Sequence, residues 1–394
     1  MTTFLYVLLA IVVLLFMVMV HELGHYIAGK ILKFKITEFS IGFGKAIFSH
    51  TSKKTGEKFS LRIFPLGGYC SFYGEEDDGT AENLDKSDKN IVDIQNNDGV
   101  PFNSQKPWKR IIVFLAGVTM NFLTAILFSW ILLCTVGYDV PQIIDYSSTI
   151  NVDENGQSIF QEGDVITHVN GQKIDFAFGV NFNTAISNQK EAAKEFYESD
   201  NYTGGDYVFD MTVRRDGESI VLENVKIVQE VVTETDSETG EVKTSYVYLM
   251  GLESTEDKVC TQAYKYGFFE GLGRSFSMAF GFAWVVLKSL WMLITFQIPI
   301  TEMGGTITTI ATMAEYTAIN PANLLIFIPL ISANLAIFNL LPFPALDGAH
   351  VLFTVIEWIR GKPINRKVEN TIHFVGICIL FAFVVIVDIL HFLL

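Results

Sequence analysis

Two histidines and a glutamate lie close together near the N-terminus, in the stretch His21-Glu22-Leu23-Gly24-His25. On a helix, residues four apart project from the same face, so His21 and His25 can bind one metal ion. Glu22 adjoins them and is placed to take a proton from a water at that metal. Zinc is the usual occupant, because it accepts histidine nitrogens and a carboxylate and leaves a fourth position for water. The spacing therefore predicts a catalytic zinc site rather than a chance match.

These residues stand at the end of an apolar run, Phe4 to Val20, that contains no charged side chain. Ionisable side chains at membrane depth are costly, and they are functional by default. From Phe4 to His21 is 17 residues, or about 26 Å of helix, against a hydrocarbon core of about 30 Å. The metal site is therefore expected inside the membrane, near its cytoplasmic face.

A third metal ligand must come from another segment at the same depth, and Asp347 is the candidate. It follows Pro342 and Pro344, which cannot sit in a regular helix interior. Unwound backbone at membrane depth is tolerated where protein or a water-filled cavity satisfies it, which marks a site. The competing interpretation is that Asp347 only caps the helix that follows it. Weaker candidates for the third ligand are Glu302, His350 and Asp388.

Two amide side chains, Asn334 and Asn339, lie just upstream of Asp347 on the same apolar segment. Amides both donate and accept hydrogen bonds. These two could therefore hold an extended peptide beside the metal.

The elements that position these residues are membrane helices, because half of the 394 residues are apolar (50%) and four stretches are long enough to span a bilayer. Lysines and arginines cluster after the first span, before the second and between the last two, and the positive-inside bias makes those loops cytoplasmic. The segment from Asp139 to Lys258 has 24 Asp and Glu against 8 Lys and Arg, so it belongs outside. This acidic segment accounts for the whole net charge of −15, and no nucleic-acid partner is expected.

The sequence thus predicts an α-helical polytopic membrane protein with four transmembrane helices, a membrane-associated β-hairpin after helix 1 and one extracytoplasmic β-rich PDZ-like domain. Both termini are expected outside the cell. The segment from Phe268 to Ile300 is apolar but carries Glu270, Arg274 and Lys288, and if it crossed the membrane the basic loop between the last two spans would lie outside. This segment is therefore expected to lie in the membrane interface. The predicted divisions are transmembrane helix 1 (1–32), the hairpin (33–74), a cytoplasmic loop (75–110), transmembrane helix 2 (111–138), the PDZ-like domain (139–262), the interfacial segment (263–323), transmembrane helix 3 (324–348), a cytoplasmic loop or helix (349–370) and transmembrane helix 4 (371–394).

Taken together, the two motifs resemble the site-2 proteases, and most closely the bacterial regulator-of-sigma-E type. The late stretch "NLLPFPALDG" matches that family's N-x-x-P-x-P-x-x-D-G pattern. "AGVTMNF" is similar to the family's A-G-P-x-x-N-F in the second core helix, with Val118 where proline is common. "EMGGTITTI" resembles the G-G-P-I stretch before the late helix, again without its proline.

The resemblance implies zinc bound by His21, His25 and Asp347, with Glu22 as the base. It also implies that substrate is held or oriented by three asparagines: Asn121, Asn334 and Asn339. The substrates would be transmembrane proteins or peptides, with anti-sigma factors and signal-peptide remnants as the family's examples.

Two segments of the sequence are predicted to form β-structure. "FSIGFG" and "FSLRIF" alternate apolar with polar or small residues on either side of a turn, which predicts a hairpin directly after the first helix. Its open edge could pair with an unwound substrate; the alternative is a small sheet that only packs on the cytoplasmic surface. "QEGDVITHVNGQKI" resembles the core of a PDZ domain, with an Asn170-Gly171 turn, although a plain β-rich spacer is the alternative.

The sequence therefore favours a zinc-dependent intramembrane endopeptidase in the cell membrane. The alternative is a catalytically inactive scaffold or a zinc carrier. A carrier needs ligands along an alternating-access path, usually in related repeats, and none is visible in the sequence. An inactive scaffold would be expected to have lost Glu22, which is intact.

Overall fold

The computed structural model describes residues 2–75, 99–143, 145–147, 149–174, 182–199, 202–235, 242–252, 261–299 and 304–393. The helices are α1 (Thr2–Ile31), α2 (Pro107–Thr135), α3 (Phe182–Glu198), α4 (Phe268–Ile294), α5 (Thr306–Ile319), α6 (Leu324–Leu340), α7 (Asp347–Arg360) and α8 (Arg366–Leu393). The strands are β1 (Ile36–Thr51), β2 (Lys58–Phe72), β3 (Tyr138–Pro141), β4 (Val165–Val169), β5 (Gln172–Lys173), β6 (Tyr207–Arg215), β7 (Glu218–Thr235), β8 (Val242–Leu249) and β9 (Thr261–Tyr264). The chain forms two compact units, residues 1–131 with 272–394 (unit 1) and residues 132–271 (unit 2).

Five of the described helices are long and apolar enough to cross a membrane, so the chain is a multi-pass membrane protein. Four of them coincide with the predicted spans. The fifth is α4. The sequence predicts an interfacial position for it, because it carries charges and because a fifth span would put a basic loop outside the cell. It is a continuous helix of 27 residues. A crossing helix and an interfacial helix can share this length and composition, and the labelling experiment below separates them.

In unit 1, α1 is the central support of the site. Its 30 residues make a helix of about 45 Å. One face packs on α5 and α6 through Met17, Met313 and Ile331. Another face approaches α2 so closely that a Cβ on Gly24 would lie 2.4 Å from the carbonyl oxygen of Ala116. Small residues allow such approach between membrane helices, and the residues around Gly24 are thereby fixed against α2.

The predicted hairpin after α1 is present, but it is more elaborate than two strands side by side. Residues 38–41 of β1 have partners on both sides, at 68–71 and at 58–61 of β2. Gly42 and Gly44 both have positive φ, at 86° and 85°, and they let β1 bend between its two halves. The first half of β1 is therefore an interior strand, and the segment 68–71 of β2 lies at an edge.

A polar cluster holds this small sheet together. The Glu38 carboxylate accepts hydrogen bonds from Ser60 (2.5 Å), Arg62 (2.8 Å) and Tyr69 (3.0 Å). Burial raises the pKa of Glu38, but these three donors outweigh it and hold the pKa below its usual value. Apolar side chains at the far end of the sheet, including Ile47, Phe48 and Phe64, are exposed. A sheet with an ionised internal cluster and an apolar outer end suits the edge of a bilayer.

Unit 2 contains a five-stranded sheet in the order β5-β4-β6-β7-β8, with α3 packed on it. The predicted Asn-Gly turn joins β4 to β5, and both residues have positive φ, as a type I′ turn requires. Asp164, buried just before β4, forms an ion pair with Arg215 at 2.6 Å and accepts a hydrogen bond from the Gln161 N–H. The hairpin that the sequence predicted in this unit is therefore confirmed.

Candidate metal centre

Three donor atoms meet at the junction of α1 and α7. Nε2 of His21 lies 3.0 Å from Oδ2 of Asp347, and Nε2 of His25 lies 3.3 Å from the same oxygen. The two Nε2 atoms are 3.2 Å apart. His21 and His25 are buried, each with 7% of its surface exposed. The predicted set of His21, His25 and Asp347 is thus brought together across more than 300 residues of sequence.

The triangle has the size that zinc requires. A tetrahedral ion with bonds of about 2.0–2.1 Å holds its ligand atoms roughly 3.3 Å apart. Oδ2 of Asp347 is buried and makes no hydrogen bond of good geometry to any described residue, although both Nε2 atoms are within 3.3 Å. The separations of the three atoms are those that ligands of a single tetrahedral ion would have. Two nitrogens and one oxygen leave a fourth tetrahedral position for water or substrate, so the residues fit a catalytic zinc ion.

The His25 ring is oriented by the backbone of α2. Its Nδ1 donates to the carbonyl oxygen of Val113 at 2.8 Å. With the proton on Nδ1, the lone pair of Nε2 points to the centre of the triangle. This outer hydrogen bond fixes the tautomer that metal binding needs.

The His21 ring is oriented by Asn121, which is fully buried. The amide nitrogen of Asn121 lies 3.2 Å from Nδ1 of His21, and its Oδ1 is buried without a hydrogen-bond partner among the described residues. Metal binding through Nε2 places a proton on Nδ1, which then needs an acceptor. Turning the amide by 180° supplies Oδ1 as the acceptor for the proton on Nδ1 of His21. Asn121 thus contacts a histidine ring, and the substrate contact predicted for it stays a prediction.

Asp347 reaches the site because the chain unwinds after α6. Helix α6 ends at Leu340, and the two predicted helix-breaking prolines follow. Asp347 is the first residue of α7, and the capping position belongs to Leu346, which makes no side-chain cap. The capping interpretation of Asp347 is therefore wrong. Gly348 permits the tight turn, since a Cβ there would lie 2.3 Å from the carbonyl oxygens of Leu340 and Leu341.

A glycine on α2 lets that helix lie directly against the two imidazoles. A Cβ on Gly117 would lie 2.5 Å from Nε2 of His25 and 2.7 Å from Cε1 of His21. Contacts this short are not tolerated, so any side chain at this position would displace the rings. Gly117 belongs to the "AGVTMNF" stretch, and its role could not be deduced from the sequence, because it depends on how α1 and α2 are paired.

We expect Gly117→Ala to lower zinc affinity by about 10- to 100-fold, the range seen when the surroundings of metal ligands are disturbed. The added methyl group would lie 2.5 Å from Nε2 of His25, so the imidazole ring or α2 must shift from its present position. Competition with a fluorescent chelator measures the change. Gly273→Ala on α4 is the matched control, since a Cβ there meets no atom within 4 Å. Equal zinc affinities for the two variants would contradict this account of α2.

Glu22 lies on the side of α1 that faces β2. A Cβ on Gly68 would lie 3.2 Å from Cγ of Glu22 and 3.5 Å from Cγ1 of Val18. The edge segment of β2 therefore runs directly past the carboxylate predicted to be the base. Glycine at this position allows a backbone, rather than a side chain, to approach Glu22.

The weaker candidates for the third ligand have other positions. Asp388 accepts hydrogen bonds from the Ile307 and Thr308 N–H groups, at 3.1 and 3.0 Å, and so caps the start of α5. His350 stacks between two aromatic rings, as described below. Glu302 lies outside the described residues, as do residues 76–98 of the predicted cytoplasmic loop.

The two asparagines of α6 are half-buried. They are five residues apart, which separates them by roughly 140° around the helix. Asn334 and Asn339 therefore face different directions from the helix. Their positions do not test the prediction that both hold a substrate, which stays a prediction.

Known proteins provide a separate comparison. A model of peptidase family M50 matches residues 9–383. A Rickettsia conorii protein named "Putative zinc metalloprotease" is 26% identical over 378 residues, covering 95% of this chain and 95% of that protein. A Fusobacterium nucleatum protein of the same description is 27% identical over 387 residues, covering 97% of each. Zinc metalloprotease RasP of Oceanobacillus iheyensis is 26% identical over 436 aligned positions, covering 94% of this chain and 95% of that protein.

Proposed function

Because this chain belongs to peptidase family M50, the site-2 zinc metalloproteases, we propose that it cuts peptide bonds within the membrane. Its substrates would be the membrane-spanning segments of single-span proteins, such as anti-sigma factors, or signal-peptide remnants. One observation carries the proposal. Three donor atoms, from His21 and His25 on the apolar helix α1 and from Asp347 at the start of α7, lie within 3.3 Å of one another, with Glu22 beside them.

The chemistry divides between the metal and the chain. Zinc, when bound, polarises a peptide carbonyl and makes water at the site easier to deprotonate. Glu22 accepts a proton from the attacking water and delivers it to the leaving amine. The Val113 carbonyl and the Asn121 amide keep the two imidazoles oriented throughout. Each of these groups acts from a rigid helix, which favours precise positioning.

The edge of β2 is where we infer that substrate is held. Residues 68–71 pair with β1 on one side, and no strand pairs with their other side among the described residues. A scissile carbonyl inside a helix is occupied by a helix hydrogen bond, so the substrate must be extended before it is cut. A strand added to this edge is held by main-chain hydrogen bonds and passes Glu22 at Gly68.

Unit 2 is the part that we assign to the outside of the cell as a PDZ-like domain. Its acidic composition and its separation in sequence from the basic loops support this assignment. The small sheet with α3 packed on it, and the buried Asp164 before β4, agree with the resemblance of this segment to a PDZ core. Such a domain would bind or screen partner proteins.

Removing zinc is expected to abolish cleavage. Purified protein in detergent is incubated with a single-span model substrate, before and after treatment with a zinc chelator, and the products are mapped by mass spectrometry. We expect cleavage inside the hydrophobic segment, loss of products after chelation, and recovery when zinc is restored. Cleavage that survives complete removal of zinc would contradict the proposal, as would cuts confined to the substrate's soluble parts.

A cysteine introduced at Thr306 is expected to react with a membrane-impermeant reagent from outside the cell, and one at Lys362 only after permeabilisation. Thr306 lies beside Asp388, because Asp388 caps the start of α5, and Lys362 lies just before Arg366 at the start of α8. Asp388 is 22 residues along α8 from Arg366, or about 33 Å. The two labelled positions therefore lie near opposite ends of α8. The four native cysteines are replaced first. Labelling of Thr306 from the inside alone would make α4 a crossing helix and would reject the four-span topology.

A further inference from the structure

Three rings form a continuous stack beside the metal centre. Phe114 of α2 and His350 of α7 lie with centroids 4.9 Å apart and planes 16° from parallel. His350 and His373 of α8 lie 4.0 Å apart, again at 16°. Phe114 adjoins Val113, whose carbonyl orients His25. The stack therefore joins α2, α7 and α8 at the level of the metal ligands.

The last ring of the stack also contacts the loop that delivers Asp347. Nδ1 of His373 accepts a hydrogen bond from the Ala345 N–H at 3.0 Å. Ala345 has a φ of 87°, which is uncommon for a residue with a Cβ. It stands two residues before Asp347. A conformation of this kind persists only where its surroundings impose it, and His373 is the side chain that binds the N–H of this residue.

Helix α8 is close enough to the loop to impose that conformation. A Cβ on Gly376 would lie 2.4 Å from Cβ of Pro344 and 2.6 Å from its carbonyl oxygen. His373 is itself buried, with 8% of its surface exposed. The loop is thus pressed between α8 and the first turn of α7, with the Ala345 N–H directed at an imidazole nitrogen.

A second metal site is the competing explanation for this cluster. His350, Glu369 and His373 offer ligand atoms within 4.8 Å of one another. A ligating imidazole binds metal with one nitrogen and donates a proton from the other. Nδ1 of His373 is instead an acceptor, which places the proton on Nε2 and leaves no free lone pair on this ring. The nearly parallel stack with His350 also keeps the in-plane lone pairs of the two rings from converging. Both features favour a positioning role over a metal site.

We propose that His373 is a positioning residue for Asp347: by accepting the Ala345 N–H, it holds the left-handed turn that aims the carboxylate at His21 and His25. The inference rests on the proposed role of Asp347 as a zinc ligand. It gives α8, which supplies no ligand, a defined part in building the metal centre.

Two substitutions distinguish the hydrogen-bond acceptor of His373 from the contribution of its ring to the stack. His373→Phe keeps a ring for the stack and removes the acceptor. His373→Asn removes the ring, and its Oδ1 lies close to where Nδ1 was. We expect His373→Phe to lower zinc affinity by about 10- to 100-fold, and turnover with it, while His373→Asn stays closer to wild type. Zinc affinity is measured by chelator competition, and cleavage with the single-span substrate. Size-exclusion chromatography and thermal unfolding verify the fold of each variant.

Wild-type zinc affinity in folded His373→Phe would overturn the proposal, as would an Asn variant as impaired as the Phe variant. If His373→Phe misfolds, His373→Leu takes its place, because leucine also lacks an acceptor for the Ala345 N–H, and wild-type zinc affinity in folded His373→Leu would overturn the proposal. A second zinc per wild-type chain that disappears in His373→Phe would establish the metal site instead. Asp347→Asn in the same assay separates failure of the ligand role of Asp347 from failure of the positioning role of His373. If Asp347→Asn keeps zinc, the ligand role fails. If Asp347→Asn loses zinc but His373→Phe does not, only the positioning role is rejected.

Discussion

Asp347→Asn is expected to lose most of its zinc and all measurable cleavage. The substitution keeps the size of the side chain but exchanges a negative ligand for a neutral one with poorer donor strength. His21 and His25 alone leave two positions of the metal unfilled. The loss of affinity should therefore exceed the roughly 10- to 100-fold that changes around metal ligands cause. Zinc per chain after dialysis, measured by atomic spectroscopy, tests this directly.

Asp388→Asn is the matched control for this experiment. Asp388 is also a buried carboxylate, with 5% of its surface exposed, but it caps α5. Asparagine keeps one of the two acceptor oxygens that cap α5, and no metal ligand changes, so this variant should keep its zinc and its activity. Normal zinc content in Asp347→Asn would remove that residue from the metal centre.

Glu22→Gln is expected to keep zinc and lose cleavage by about 10²- to 10⁴-fold, the usual contribution of a general base. Both imidazoles and Asp347 remain in place, so the metal is still held. The amide can no longer accept a proton from water. The same two measurements, zinc per chain and product formation, therefore give opposite results for this variant and show a catalytic defect without a binding defect.

Glu315→Gln provides the comparison for Glu22→Gln, because Glu315 is an exposed glutamate on α5 in the same unit. It should match wild type in both measurements. Substantial turnover by zinc-loaded Glu22→Gln would show that another group accepts the proton, and the proximity of Glu22 to Gly68 would then have only a structural meaning.

The parts of the site that the sequence predicts are those with short-range patterns. The histidine pair follows from helical spacing, and Asp347 from the prolines that break a helix at membrane depth. The groups that orient the ligands have no such pattern. Val113 acts through its carbonyl, which is the same in every residue, and lies 88 residues from His25. No sequence pattern points to His373, because its partner is a backbone N–H that only the assembled helices bring near.

The fold shows the same division. Alternation of apolar and polar residues predicts the hairpin after α1, but not its double pairing, which depends on a bend at Gly42 and Gly44. Charge counts predict four spans, whereas length and composition give five candidates. The difference is α4, which carries Glu270, Arg274 and Lys288 and is nevertheless long and apolar enough over its 27 residues to be a candidate span. Local composition cannot decide how such a helix is inserted.

The position of the three donors along the chain also bears on how the protein is made. His21 and His25 lie on the first helix, and Asp347 lies on the seventh, 326 residues later than His21. At about 5–20 residues per second, a ribosome needs roughly 15–65 s to cover that distance. A chain still being synthesised therefore carries its glutamate and both histidines without the carboxylate that completes the triangle. If Asp347 is the third zinc ligand, a nascent chain cannot cut peptide bonds before α7 lies beside α1, and the order of synthesis then protects the neighbouring proteins at the insertion machinery.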